Sequence, residues 1–249
     1  MMDAPPMPSP TLLLVDGHAL AYRQFFALER TAMATSTGQP SWTAYGFFSA
    51  LQGVLQAYQP QALAFAFERA IAALEGATHG FAFSSGLAAM AAILDGVPAG
   101  SHMVATDDLY GGSYRLIERV RKHSAALTVT YLDLTNLAAL DAAITEQTNL
   151  LWVETPTNPL LKLADIAAIA QIAKTRGVTL VVDNTFASPA LQNPLALGAD
   201  LVLHSATKYI NGHSDVIGGV VVTSHPEWAE KIGFIQNSVG RIAGALDSF

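Results

Sequence analysis

From Glu68 onward, short apolar runs closed by polar residues alternate with stretches of helical period, and this alternation leaves the chain few folds to choose from. HGFAFSS, HMVATDD, LTVTYLDL, NLLWVETP, TLVVDNTF and DLVLHSATK read as strands or strand ends. GLAAMAAILDGV, GSYRLIERVRKHS, NLAALDAAI, DIAAIAQIAKTRG and PEWAEKIGFIQNSVG read as helices. Strands and helices in that order predict an α/β domain with a mostly parallel sheet. The chain can fill such a domain: 51% of its 249 residues are hydrophobic and only 13% are charged.

The first 67 residues read differently. TLLLV predicts a short strand, an Asp-Gly turn follows, and an aromatic-rich helical stretch runs to Phe26. A polar loop, Thr35 to Ser41, precedes an apolar helix from Ala44 to Tyr58 and a strand-like run from Ala62 to Phe67. Residues 1–10 read as a disordered tail. This first part contains no lysine, two arginines and three acidic residues, whereas lysines begin at Lys122.

Charge and residue usage exclude several functions. A net charge of -7 without any basic run argues against a nucleic-acid face, which needs clustered Lys and Arg, and favours a small metabolite as partner. Without cysteine the chain has no disulfide framework, no thiolate nucleophile and no Cys-based zinc site. MMDAPPMPSP lacks a basic n-region, and the run Leu12 to Val15 is too short for a membrane span, so a soluble, cytoplasmic protein is expected.

In an open α/β sheet, ligands bind beyond the carboxyl ends of the strands, so polar residues closing an apolar run come first as candidates. Ser84, Ser85 and Gly86 follow HGFAF and precede an Ala-rich helix, whose N–H groups and dipole suit a phosphate; an ordinary Ser N-cap is the alternative. TLVV ends in Asp183-Asn184-Thr185, and DLVLH ends in Ser205-Ala206-Thr207-Lys208. An amine that forms a Schiff base with an aldehyde needs a rigid mount, and a carboxylate can hold a pyridine nitrogen protonated so that the ring accepts electrons. Lys208 and Asp183 can take those roles, with Ser205 and Thr207 donating to a phosphate. Taken singly, Asp183 reads as a turn residue and Lys208 as a solvated lysine. His204 and His213 lack a matched ligand partner and read as structural, and Trp152 reads as core.

The runs FSSGLAA, DLYGGSYRL, ETPTNPLLK, VVDNTFASP, HSATKYINGHSDVIGG and FIQNSVG resemble, in order and spacing, the signature blocks of the Cys/Met-metabolism family of pyridoxal-phosphate (PLP) enzymes, of the cystathionine γ-synthase and γ-lyase type. The resemblance covers about 68–249. It implies the large domain of a fold-type I PLP-dependent transferase, a homo-oligomer, and β/γ-elimination or γ-replacement on sulfur amino acids or homoserine esters. It also implies roles. Ser85, Gly86 and Leu87 would cradle the phosphate, completed by Ser205 and Thr207. Tyr110 would stack on the pyridine ring and assist proton transfer, Asn158 would sit beside the ring oxygen, and Asp183 would pair with the ring nitrogen. Lys208 would carry the cofactor, and no metal is implied.

Two departures qualify the expectation. No Tyr-x-Arg motif of the family's N-terminal arm precedes Glu68, and the chain stops at Asp247-Ser248-Phe249, about where the family's C-terminal small domain begins. Weakened activity is expected on that basis. Residues 11–67 instead resemble the start of the 5′-nuclease domain of bacterial DNA polymerase I, in LLLVDGHALAYRQFFAL, TSTGQPSWTAYGF and ALAFAF. That second resemblance implies a metal-ligand role for Asp16 and places Tyr22 and Arg23 near DNA. Glu68 falls where the nuclease pattern has Asp, although it also starts the ERAIAALEG of the PLP pattern. A fusion of two fragments near Phe67 is the simplest account, and a nucleic-acid-binding fragment without catalysis is the alternative function.

Overall fold

The computed structural model describes residues 61–244, and side chains from Phe67 onward. The chain divides into two compact units, and the one described below is Phe67–Ser248. The expected tail at 1–10, the elements between Thr11 and Tyr58, and Asp16, Tyr22 and Arg23 all lie outside the described residues.

Seven strands form one sheet: β1 (His79–Phe83), β2 (His102–Thr106), β3 (Thr128–Leu132), β4 (Thr148–Glu154), β5 (Thr179–Asp183), β6 (Leu201–His204) and β7 (Gly219–Thr223). Their order across the sheet is β1-β7-β6-β5-β4-β2-β3. β2 to β6 run parallel to one another, while β7 pairs antiparallel with β6 on one side and β1 on the other. The helices are α1 (Gln61–Glu75), α2 (Gly86–Asp95), α3 (Gly111–Leu116), α4 (Lys122–Ser124), α5 (Leu137–Ala143), α6 (Ile166–Arg176), α7 (Ser188–Leu191) and α8 (Pro226–Val239). A π-helical turn, Ile117–Arg121, joins α3 to α4, and a 3₁₀ turn spans Pro194–Leu197.

The central strands are apolar throughout because both sheet faces are covered. Successive side chains of a strand point to opposite faces, and here they feed two separate cores. Met103, Leu150, Trp152, Val181, Leu203 and Val221 pack with Met90, Ile93, Ile117 and Trp228 on one side. Val104, Leu151, Val153, Leu180, Val182 and Val222 pack with Ile71, Leu140 and Ile169 on the other. Trp152 is wholly buried, as expected of a core residue. Burying each such side chain stabilises the fold by about 1.5–3 kcal/mol.

Two segments depart from the sequence expectation. The run Ala62 to Phe67 is not a strand but the first half of α1. It lacks β-branched residues and continues into ERAIAALE, rich in the strongest helix formers, and Phe67, Ile71 and Glu75 recur at helical spacing on its inner side. No strand is expected at 219–223, yet β7 forms there and all five of its residues are buried. A short apolar run between Gly218-Gly219 and Ser224 carries too little period to identify it. Among the described residues no helix is long and apolar enough to cross a membrane.

Candidate active site

Parallel strands present their carboxyl ends along one edge, and that edge holds a cavity of about 210 Å³. Ser85, Gly86, Leu87, Tyr110, Asn158, Asp183, Ser205, Thr207 and Lys208 all line it. Positions far apart in the sequence therefore meet in one place.

The start of α2 forms one wall. Ser85 is the N-cap, its Oγ accepting the Ala88 N–H at 3.0 Å, so the ordinary capping role holds for this hydroxyl. The N–H groups at the first helical positions, Gly86 and Leu87, have no carbonyl within the helix to receive them. Backbones approach closely here. A Cβ on Gly86 would stand 2.8 Å from the Ser205 Cβ, and one on Gly219 would collide with the Ser85 carbonyl oxygen. Gly219→Ala should therefore displace the start of α2, destabilising the fold by roughly 1–3 kcal/mol, readable by thermal melting. A melting temperature equal to that of the parent chain would show that the contact yields freely.

Asp183 ends β5. Thr185 binds it twice, through its backbone N–H at 3.0 Å and its hydroxyl at 2.5 Å, and the same hydroxyl accepts the Ser205 N–H at 2.8 Å. Burial pushes the Asp183 carboxyl above its usual range, against the Thr185 bonds and the nearby His204, which pull it down. Lys208 is exposed on the β6–β7 loop, where its N–H meets the Ser205 carbonyl at 3.1 Å. The Thr207 hydroxyl accepts the Gly218 N–H at 3.0 Å and donates to the Gly218 carbonyl at 3.2 Å, so it closes this loop.

Tyr110 precedes α3, and Gly112 leaves room for its ring: a Cβ there would collide with the Tyr110 Cε1. Asn158 lies in the loop after β4, which Asp108 ties back by accepting from the Thr157 hydroxyl at 2.5 Å and the Leu160 N–H at 2.8 Å. Of the two histidines, His204 is wholly buried against Glu75 at 2.5 Å, while His213 is exposed. Glu68 accepts the Ala82 N–H at 2.6 Å and the Gln236 amide at 3.2 Å, which makes it part of this unit's own framework.

Two cavity residues were legible but not singled out from the sequence: Thr185, and Glu154, which closes NLLWV just as Asp183 closes TLVV. Burial and the charge of Asp183 push the Glu154 carboxyl up to about 8, with Asp108 adding to the rise and the Tyr110 and Asn158 N–H groups opposing it. A carboxyl raised from 4.5 in the folded state keeps its proton longer there than in the unfolded chain. Its contribution to stability is thus complete below about 4.5 and is lost as pH rises through about 8. The shift of Asp183 has the same sign. The cofactor-free protein should accordingly melt at a lower temperature at pH 8 than at pH 5, and Glu154→Gln should flatten that decline. An unchanged decline in the variant would assign it to another group.

An α/β sheet with an open helix start, a buried aspartate and an exposed lysine at one edge has the architecture of the large domain of a fold-type I PLP-dependent transferase. The chain belongs to the Cys/Met metabolism PLP-dependent enzyme family, whose profile matches residues 58–249. It is 50% identical over 215 residues to a cystathionine beta-lyase of Coxiella burnetii, covering 84% of this chain and 56% of that one. A cystathionine gamma-synthase of Mycobacterium bovis is 51% identical over 185 residues, covering 74% of this chain and 47% of the relative. The crystal structure of cystathionine gamma-lyase from Lactobacillus plantarum complexed with L-serine superposes with a TM-score of 0.74 at 49% identity, over 77% of this chain and 50% of that one. The chain thus spans about half the length of the curated relatives it matches. A second profile, the 5'-3' exonuclease N-terminal resolvase-like domain, matches residues 11–74, so the two profiles overlap across most of α1.

Proposed function

We propose that residues from about 68 to 249 bind pyridoxal phosphate in this cavity for β- or γ-elimination or γ-replacement on sulfur amino acids or homoserine esters. One observation carries the reading: nine positions drawn from five separate sequence blocks line a single cavity. The names of the cystathionine lyases and synthases that the chain resembles support the substrate class.

The residues present fit the cofactor. Glycines at 86 and 219 keep the start of α2 close-packed and unscreened by side chains, as a phosphate site requires. Asp183 is a carboxylate carrying a desolvation cost that a cationic ring nitrogen would relieve. Lys208 is a solvent-accessible amine on the same wall.

Bound there, pyridoxal phosphate would supply a sink for the electrons released at a substrate Cα. Gly86, Leu87 and Ser205 would hold its phosphate, with Thr207 joining once its hydroxyl leaves the Gly218 carbonyl. Tyr110 would cover the ring face, Asn158 would lie beside the ring oxygen, and Asp183 would keep the ring nitrogen protonated. Lys208 would attach the cofactor and, once displaced by a substrate amine, would take the Cα proton on its Nζ. A homo-oligomer belongs to the same reading, supported by Leu160, Leu161 and Leu163, exposed together on one loop, and so does a cytoplasmic setting.

Absorbance of the purified protein with added pyridoxal phosphate tests the reading. A stable band near the visible edge, retained after desalting, is expected, together with turnover of cystathionine or a homoserine ester. A spectrum of free cofactor alone would overturn it.

A further inference from the structure

Glu154 faces the cavity without a task in the chemistry above. It is only 6% exposed, at the last position of β4, and the ladder register makes it the direct neighbour of Asp183 at the last position of β5. Register partners in adjacent parallel strands project from the same face, so two carboxylates stand side by side at the cavity wall. Such a pair is costly unless something is gained from it. The gain is visible in what Glu154 holds. Its Oε2 accepts the Tyr110 N–H at 3.0 Å, and the Asn158 N–H reaches the same carboxylate.

Both recipients need an anchor. Tyr110 sits where the chain turns from the loop after β2 into α3, with φ -48 and ψ 128 and no side-chain cap of its own. Asn158 is in a loop fixed on its far side by Asp108. A carboxyl group has oxygen lone pairs for several donors, and it keeps acceptor capacity even when it holds a proton. One side chain therefore fixes the backbones of two residues that come from different loops.

Resting on the cofactor reading above, we propose that Glu154 is a positioning residue: it sets Tyr110 and Asn158 at the heights from which their side chains meet the cofactor ring. It acts through them and not on the reacting atoms. Its burial beside Asp183, which raises its carboxyl, is the cost of that placement.

The test measures the affinity of the full chain for pyridoxal phosphate by titration, without any turnover assay. Glu154→Ala should weaken binding on the order of tenfold, and Glu154→Gln, which keeps an acceptor oxygen, should recover most of the loss. Tyr110→Ala is then measured in both backgrounds. If Glu154 works by placing Tyr110, the loss on removing the ring shrinks to within about twofold once Glu154 is alanine. A purely structural glutamate predicts costs that add, and additive costs overturn the proposal. If Glu154→Ala does not give a cooperative melt, the same cycle is run with Glu154→Leu, which keeps the bulk and lacks an acceptor, and additivity there is equally fatal. Parent protein that shows no band and no covalent trapping at Lys208 refutes the cofactor reading itself. Parent protein that shows both, with Glu154 variants indistinguishable from it, refutes only the positioning role.

Discussion

Lys208→Ala is expected to abolish covalent retention of pyridoxal phosphate while leaving the melting temperature within a few degrees of the parent chain. The chain has five lysines, and four of them are placed elsewhere. Lys162 is paired with Asp107 and Asp133, Lys122 with Glu118, and Lys231 lies 5.1 Å from the centre of the Trp228 ring. Lys174 is on α6, and only Lys208 lines the cavity. Because Lys208 is exposed on a loop, truncating it removes no core contact, so loss of attachment can be separated from loss of fold. Borohydride reduction followed by peptide mapping reads the result directly. A label on any other lysine, or undiminished labelling in the variant, would remove the assignment. Asp183→Ala should behave differently: the cofactor still attaches, but turnover falls far more than affinity because the ring nitrogen loses its counter-charge.

The legible part of this fold was the part written in long repeating pattern. Leu180, Val181 and Val182 form an unbroken apolar run closed by an acid, as suits a strand buried on both faces whose carboxyl end opens on a cavity. Six strands were readable as short apolar runs closed by polar residues. β7 was not, because four residues between glycines and a serine have no period to read; its antiparallel direction depends on the turn made by the Lys208 loop. The strand expected at Ala62 to Phe67 fails for a related reason. Six apolar residues taken without their neighbours suit either state, and only the continuation through Glu75 makes the helix clear.

The site divides along the same line. Asp183 and Lys208 were picked out by their place at strand ends, and both line the cavity. Thr185 and Asp108 stand in the signature blocks, but the bonds they accept from the Ser205 and Leu160 N–H groups, 20 and 52 positions away, are visible only in the folded chain. Glu154 is an intermediate case, since the rule that selected Asp183 applies to it equally. Its bond to the Tyr110 backbone, 44 positions away, is visible only in the folded chain.

Glu75→Ala should cost the fold more stability than Gly219→Ala or any substitution in the cavity wall. Glu75 ends α1 with its carboxylate completely buried, and the Oε1 atom receives both the His204 ring at 2.5 Å and the Asn184 amide at 2.8 Å. His204 is itself wholly buried, and its Nδ1 has no partner among the described residues. Alanine at 75 would leave the imidazole without its remaining bond and Asn184 with one fewer. Removing one member of such a buried pair costs about 3–5 kcal/mol, whereas an exposed pair such as Lys122 and Glu118 contributes about 0–1 kcal/mol. For a unit of this size the loss corresponds to a fall in melting temperature on the order of 10 °C. The damage also has a direction. His204 is joined in sequence to Ser205, and Asn184 to Asp183, so loosening the pair loosens two cavity residues from behind. Glu75→Gln, which keeps a carbonyl acceptor at the same reach, should recover much of the stability. Calorimetry of the three proteins decides the matter: if Glu75→Ala melts within about 2 °C of the parent chain, α1 is not fastened to the sheet through this pair.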